Sequence, residues 1–239
     1  FYRPIWTYLA EERGARLLFY FYSTNTENFK TVDGYPIQGP WHLISWPNYL
    51  VWDEYQMDFV KRFAHGNPTI EGVGPIWFST NDVEISVPLN SIAVFDVTPN
   101  RASRYITLGA CTEFYVSRVV NQFLNDIQKV LTQNNYTMTH KMKRTDVNTH
   151  KRYSYNIKAL REKSNYQMMS PDSDATKLIQ KARATISTPF TSTALIAKLE
   201  GKPSVYYDPS GMIQKDDRAA HGIPVLSSID ELEAWVKSL

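Results

Sequence analysis

Residues 184–211 read ATISTPFTSTALIAKLEGKPSVYYDPSG, and the punctuation of this stretch decides the fold. Residues 184–187 close an apolar strand that Pro189 breaks. Thr191, Ser192 and Thr193 then stand where a helix through Ala194, Leu195, Ile196 and Leu199 must begin. Gly201 stops that helix, and Pro203 opens a second strand, 204–207, which runs into the loop Asp208-Pro209-Ser210-Gly211. The product is a β-α-β unit, whose strand ends carry ligands in open α/β sheets. A first helical turn has unpaired N–H groups and a partial positive charge, so three hydroxyls there make a site for a phosphate or carboxylate. A plain N-cap at Ser192 or Thr193 is the other reading of the same residues.

Outward from that unit, the chain alternates strand and helix. Strands are expected at 92–97, 136–140, 168–170 and 223–226, and helices at 113–131, 152–163, 174–183 and 229–239, the last capped by Ser227 or Ser228. Strands spaced by helices mean a Rossmann-like, mostly parallel sheet covered on both faces. The GxGxxG fingerprint is missing, which disfavours an ordinary NAD or FAD site. Residues 1–88 differ: they are aromatic-rich and irregular, with a helix near 5–13, a strand near 17–22, and a strand and a helix within 46–74 before a Gly-rich turn. We read 1–88 as the end of one domain and 89–239 as a second, nucleotide-binding one.

The 239 residues suffice for a sizeable core. A net charge of +2 and a pI near 8.5 are too mild to argue for nucleic acid. The single cysteine, Cys111, excludes an internal disulfide framework and a cysteine-rich metal site, and suits a reducing compartment. No apolar run approaches a membrane span and no signal peptide is visible. The chain opens in mid-pattern at Phe1-Tyr2-Arg3-Pro4, as a piece of a longer protein would.

The loops after the strands should supply ligand groups. After the second comes a basic run, His140-Lys141-Met142-Lys143-Arg144, continuing to His150-Lys151-Arg152; after the fourth comes Thr191-Ser192-Thr193. His140, Lys141 and Lys143 are therefore expected to share a phosphate with Thr191, Ser192 and Thr193, where cations would neutralise a leaving nucleotide. Asp208 ends the next strand. Asp216, Asp217, Arg218 and His221 form the densest polar cluster outside the basic run. Asp208, Asp216 and Arg218 are candidates to hold sugar or ribose hydroxyls, and His221 with Asp217 is the acid/base candidate. Solvated loops whose acids pair with Lys215 and Arg218 are the alternative.

The residue run 184–225, with WPNYLVWDEYQMDFVKR, EGVGPIWFS and IAVFDVTPNRASRY before it, resembles the bacterial polysaccharide-biosynthesis proteins named for a PFTS motif. Pro189-Phe190-Thr191-Ser192 is that motif, and the resemblance extends over nearly the whole chain. It implies a GT-B glycosyltransferase: two Rossmann-like domains, here the C-terminal one with a remnant of the N-terminal acceptor domain. It further suggests CMP-sugar transferases of capsule or O-antigen synthesis, in which a His-containing loop and a Ser/Thr pair hold the nucleotide phosphate; His140 and Ser192-Thr193 match. That His is usually followed by Pro, whereas Lys141 follows His140 here. The implied partners are a nucleotide sugar and a glycan or lipid-linked acceptor, in the cytoplasm, with peripheral association at the inner membrane face and no resident cofactor or metal.

Asp53 and Glu54 read as cleft carboxylates or as the cap of the helix after them. His42 and His65 lack ligand-spaced partners. Trp41, Trp46, Trp52 and Trp77 suit either sugar stacking or packing. Two other classes remain open: a nucleotide-sugar epimerase or polyol-phosphate transferase on this scaffold, and a non-catalytic module that binds a nucleotide sugar or glycan.

Overall fold

The computed structural model describes residues 3–24, 26–35, 41, 43–76, 84–99, 116–142 and 150–239. The chain divides into two compact units, Phe1–Ser79 with Asp216–His221, and Thr80–Lys215 with Gly222–Leu239.

In the first unit, helix α1 (Ile5–Glu12) precedes three short strands, β1 (Phe19–Tyr20), β2 (Asn48–Val51) and β3 (Thr69–Gly72), with helix α2 (Glu54–Phe63) between the last two. The strands form a parallel sheet in the order β1-β2-β3. Four rings, Phe21, Trp41, Tyr49 and Phe59, are buried together with Ile44, Val51 and Val60, and Trp41 meets Phe59 edge to face at 4.9 Å. Such pairs add about 0.5–1.5 kcal/mol beyond burial. Trp52 is buried too, its indole N–H donating to the Phe21 carbonyl at 2.5 Å. Trp41 and Trp52 are thus spent on packing and not presented to a sugar; Trp77 and His42 lie outside the described residues. Asp53 caps α2, accepting from the Gln56 amide at 3.0 Å. β3 escapes a pattern reading because only Ile70 in Thr69–Gly72 is apolar and the strand is mostly exposed.

The second unit contains β4 (Ser91–Phe95), α3 (Ser117–Gln133), β5 (Thr137–Lys141), α4 (Lys151–Arg161), β6 (Tyr166–Met168), α5 (Ala175–Lys181), β7 (Ala184–Ser187), α6 (Ser192–Leu199), β8 (Ser204–Tyr207), β9 (Val225–Leu226) and α7 (Ile229–Lys237). Its strands make one six-stranded sheet in the order β6-β5-β4-β7-β8-β9, every pairing parallel. This is the Rossmann-like α/β fold the strand-helix rhythm predicts. Central β4 and β7 are buried at every residue, as strands covered on both faces must be. The apolar stripe of α3 packs onto the sheet through Val120, Phe123, Leu124, Ile127 and Leu131.

Chain order reverses between β4 and its neighbour β7: the strands after β4 add on one side, then the chain returns to β4's other edge. Open α/β sheets bind ligands at that point, outside the carboxyl ends of the strands. Here those ends are Asp96 and Thr188, and the Thr188 amide donates to the Phe95 carbonyl at 2.9 Å.

Candidate nucleotide-phosphate site

The turn from β7 into α6 is built from its own side chains. Phe190 is buried and packs edge to face on Tyr206, centroids 5.2 Å apart. Burying such a ring is worth about 1.5–3 kcal/mol, enough to anchor the turn. The Tyr206 hydroxyl donates to the Thr191 carbonyl at 3.1 Å, pinning the residue before α6. Thr191 sits at the N-cap, yet its hydroxyl makes no cap bond and instead donates back to the Thr188 carbonyl at 2.9 Å. Thr193 Oγ1 lies 2.9 Å from Ser187 Oγ and 3.1 Å from Thr191 Oγ1. The hydroxyls of Thr191 and Thr193 therefore shape the turn, while Ser192 holds the first position of α6, half-buried. With no side-chain cap from Thr191, the positive potential of the α6 N-terminus suits an anion. At the far end, the Lys202 amide bonds the Ala197 carbonyl (2.9 Å) and the Gly201 amide the Lys198 carbonyl (3.1 Å), with Gly201 left-handed at φ 70°. That is a Schellman close, and it fixes the length of α6.

The basic run behaves otherwise than its sequence suggests. His140 is fully buried inside β5, its Nδ1 2.7 Å from the Tyr166 hydroxyl and its Nε2 3.3 Å from Asp96 Oδ1. β5 is an interior strand covered on both faces, so its last residues do not alternate between core and solvent. His140 thus belongs to a buried cluster and not to a phosphate-facing loop. Lys141 donates to the Pro171 carbonyl at 2.8 Å, and burial holds its pKa below the usual lysine value. Lys143 lies outside the described residues.

That cluster is the feature a pattern reading misses. Asp96, at the end of β4, accepts from the Tyr153 hydroxyl at 2.5 Å, and burial among these oxygens drives the Tyr153 and Tyr166 pKa values up. Asp96 Oδ1, His140 Nε2 and Thr188 Oγ1 are buried without a hydrogen bond among the described residues. The available signal was an Asp directly after the apolar run 92–95.

Asp208 is also corrected. Its carboxylate is buried and accepts from the Ser210 amide at 2.9 Å, the Ser210 hydroxyl, and the Ile213 amide at 2.8 Å. It builds its own loop instead of reaching a sugar.

Asp216, Asp217, Arg218 and His221 fall in the first unit, whereas the phosphate turn falls in the second. Asp216 pairs with Lys30, which lowers its pKa. Asp217 caps a short 3₁₀ turn, accepting from the Ala219 amide at 3.0 Å and the Lys30 amide at 2.8 Å, and burial raises its pKa. The Arg218 amide donates to the Tyr35 hydroxyl, and its guanidinium stacks 4.7 Å above the Tyr35 ring. These groups are engaged by distant residues of the first unit, Asp217 within its interior and Asp216 at its surface. His221 keeps a chemical partner, its Nδ1 2.7 Å from Asp53 Oδ2, both side chains nearly buried.

Among the described residues no group of three or more His, Cys, Asp or Glu could hold a metal ion, and no helix is long and apolar enough to cross a membrane. Among curated proteins none matches the chain in sequence. Solved structures similar to it include the GtfA/B complex (12% identity over 98% of this chain and 48% of that one, TM-score 0.49) and TarM (12%, 94% and 43%, 0.47). A UDP-GlcNAc 2-epimerase from Methanocaldococcus jannaschii is similar over 68% of this chain and 41% of its own, at 11% identity and TM-score 0.44. The chain spans less than half the length of each. A family model matches residues 1–236, and the chain, with Pro189-Phe190-Thr191-Ser192 at the α6 turn, belongs to that family, the polysaccharide biosynthesis PFTS motif proteins.

Proposed function

We propose that this chain is the nucleotide-sugar-binding half of a GT-B glycosyltransferase, with part of its acceptor domain, moving a sugar from a nucleotide donor to a growing bacterial surface polysaccharide. One observation carries the reading: the α6 N-terminus, without a side-chain cap from Thr191, stands beside the point where the parallel sheet reverses its strand order. In glycosyl transfer an acceptor hydroxyl attacks the anomeric carbon while the bond to the nucleotide phosphate breaks, leaving negative charge on that phosphate. Amides of the first turn of α6 with the Ser192 hydroxyl stabilise that charge. Membership of a polysaccharide-biosynthesis family supports a sugar as the transferred group. The donor is a substrate, and the reading needs no resident cofactor. His140, on which a preference for CMP rested, is buried in the sheet, so the base is left to experiment. His221, paired with Asp53, keeps the elements of acid/base chemistry within the first unit.

A thermal-shift series with CMP, CDP, UDP, GDP and TDP tests the site. A binding nucleotide at a hundred times its dissociation constant should add about 2.7 kcal/mol of apparent stability. Ser192→Ala should weaken that nucleotide by about 1–2 kcal/mol, the scale of a hydrogen bond to a charged group, with the fold intact. Unchanged affinity by calorimetry would reduce Ser192 to a helix-starting residue. Product analysis with the longer protein then separates the reactions: a glycosidic bond supports transfer, an altered free nucleotide sugar an epimerase, a phosphodiester a polyol-phosphate transferase.

A further inference from the structure

Residues 141–163 hold eight Lys and Arg against two acids, Asp146 and Glu162, a net +6 in a chain whose total is +2. The remaining residues therefore carry a net −4. This charge is concentrated on α4. Tyr153, Ile157 and Leu160 bury one side of that helix in the core. Lys151, Tyr155 and Lys158, spaced i, i+4 and i+7, form the crest opposite, and Arg152 and Arg161 flank it. All five are exposed, Tyr155 at 71%. None of the four cations forms an ion pair with an acid among the described residues. The neighbouring helix α3 adds exposed Arg118 and Lys129, and its Asp126 is engaged by the Tyr207 hydroxyl at 2.7 Å.

Surface helices ordinarily intersperse both signs of charge. Here four cations share the face with one acid, Glu162 at the C-cap, and a predominantly basic face within a chain that is acidic elsewhere is a field directed at an anion. Its occupant follows from two features. The cations lie along one short helix, which suits a broad anionic plane better than a nucleic-acid backbone tracked over many phosphates. An exposed tyrosine stands among them, and an amphipathic ring favours the headgroup level of a bilayer. We infer that the outer face of α4 docks on an anionic lipid surface, Lys151, Arg152, Lys158 and Arg161 meeting headgroup phosphates and Tyr155 entering the interface. The inference stands apart from the phosphate site at α6 and survives if that site fails.

Flotation of the full chain with phosphatidylcholine vesicles, with and without phosphatidylglycerol, tests it. Binding should require phosphatidylglycerol and fall as salt is raised. Each cation near such a surface is worth about fivefold, so Lys151→Gln with Arg152→Gln and Lys158→Gln should weaken binding about a hundredfold. Lys151→Arg with Lys158→Arg keeps the charge and should keep the binding, which separates charge from misfolding. Absence of binding, equal binding to phosphatidylcholine alone, or indifference to the triple substitution would overturn the inference. Tighter retention on duplex DNA than on vesicles would transfer the face to a polyanion and overturn it as well.

Discussion

The two units use the same parallel pairing to different ends. In the second, six strands and the helices between them bury long aliphatic runs, and polar groups collect where strands end. In the first, three strands of two to four residues cannot supply such runs, and rings from loops, a strand and helix α2 fill much of the core instead. Its polar groups are consumed in holding loops: Lys30 and Tyr35 on Asp217, and Asp53 on His221. A regular sheet leaves polar strand ends over for ligands, whereas an irregular unit spends them on its own architecture.

The largest test of that contrast is one ring removed from each core. Phe123→Ala in α3 and Phe59→Ala in α2 should each cost about 3–5 kcal/mol in denaturant unfolding, since both rings are buried. If the first unit's core rests on its rings, Phe59→Ala should reach the upper end, because it loses an edge contact to Trp41 and a tilted ring contact to Phe63. A loss below about 1 kcal/mol at Phe59 would show a core that collapses around the gap, and the contrast would fail.

A smaller effect separates structural from ligand-binding polar groups in the second unit. Tyr153→Phe removes the hydroxyl that bonds Asp96 and leaves a buried carboxylate short of a partner, which costs about 1–3 kcal/mol of stability. Nucleotide affinity should not change if the Asp96, His140 and Tyr166 cluster supports the sheet. A matching loss of affinity in calorimetry would extend the phosphate site from α6 to the end of β4.

How far all this was legible depends on the range of the interactions involved. Helix α6 could be read from start to stop, because Pro189, the hydroxyls and Gly201 punctuate it within a few residues. The same locality made α2 and α7 readable and narrowed their caps, which fall on Asp53 and on Ser228 of the Ser227-Ser228 pair. His140 was misread because its strand lies inside the sheet, and strand order is set by pairing that no local pattern contains. The partners of Asp216 and Asp217, Lys30 and Tyr35, were not legible because they lie some 180 residues earlier. Asp208 sat at a strand end, where ligand groups gather, but its nearest donors were its own loop amides.

The smallest expected effect compares glycines. Gly201 closes α6 in the second unit at φ 70°, and Gly66 follows α2 in the first at φ 76°; a Cβ at either would meet nothing within 4 Å. Crowding is therefore absent at both, and the cost of alanine is the left-handed backbone alone, about 1 kcal/mol. Gly201→Ala and Gly66→Ala should lose equal stability, although one sits in a regular sheet unit and the other among packed rings. Nucleotide affinity should be untouched by Gly201→Ala, because the substitution lies at the opposite end of α6 from Ser192. Stability fixes the local cost and calorimetry fixes its reach. If Gly201→Ala weakened the nucleotide while Gly66→Ala did not, the end of α6 would transmit its backbone geometry to the phosphate turn, and the helix would act as a single rigid element of the site.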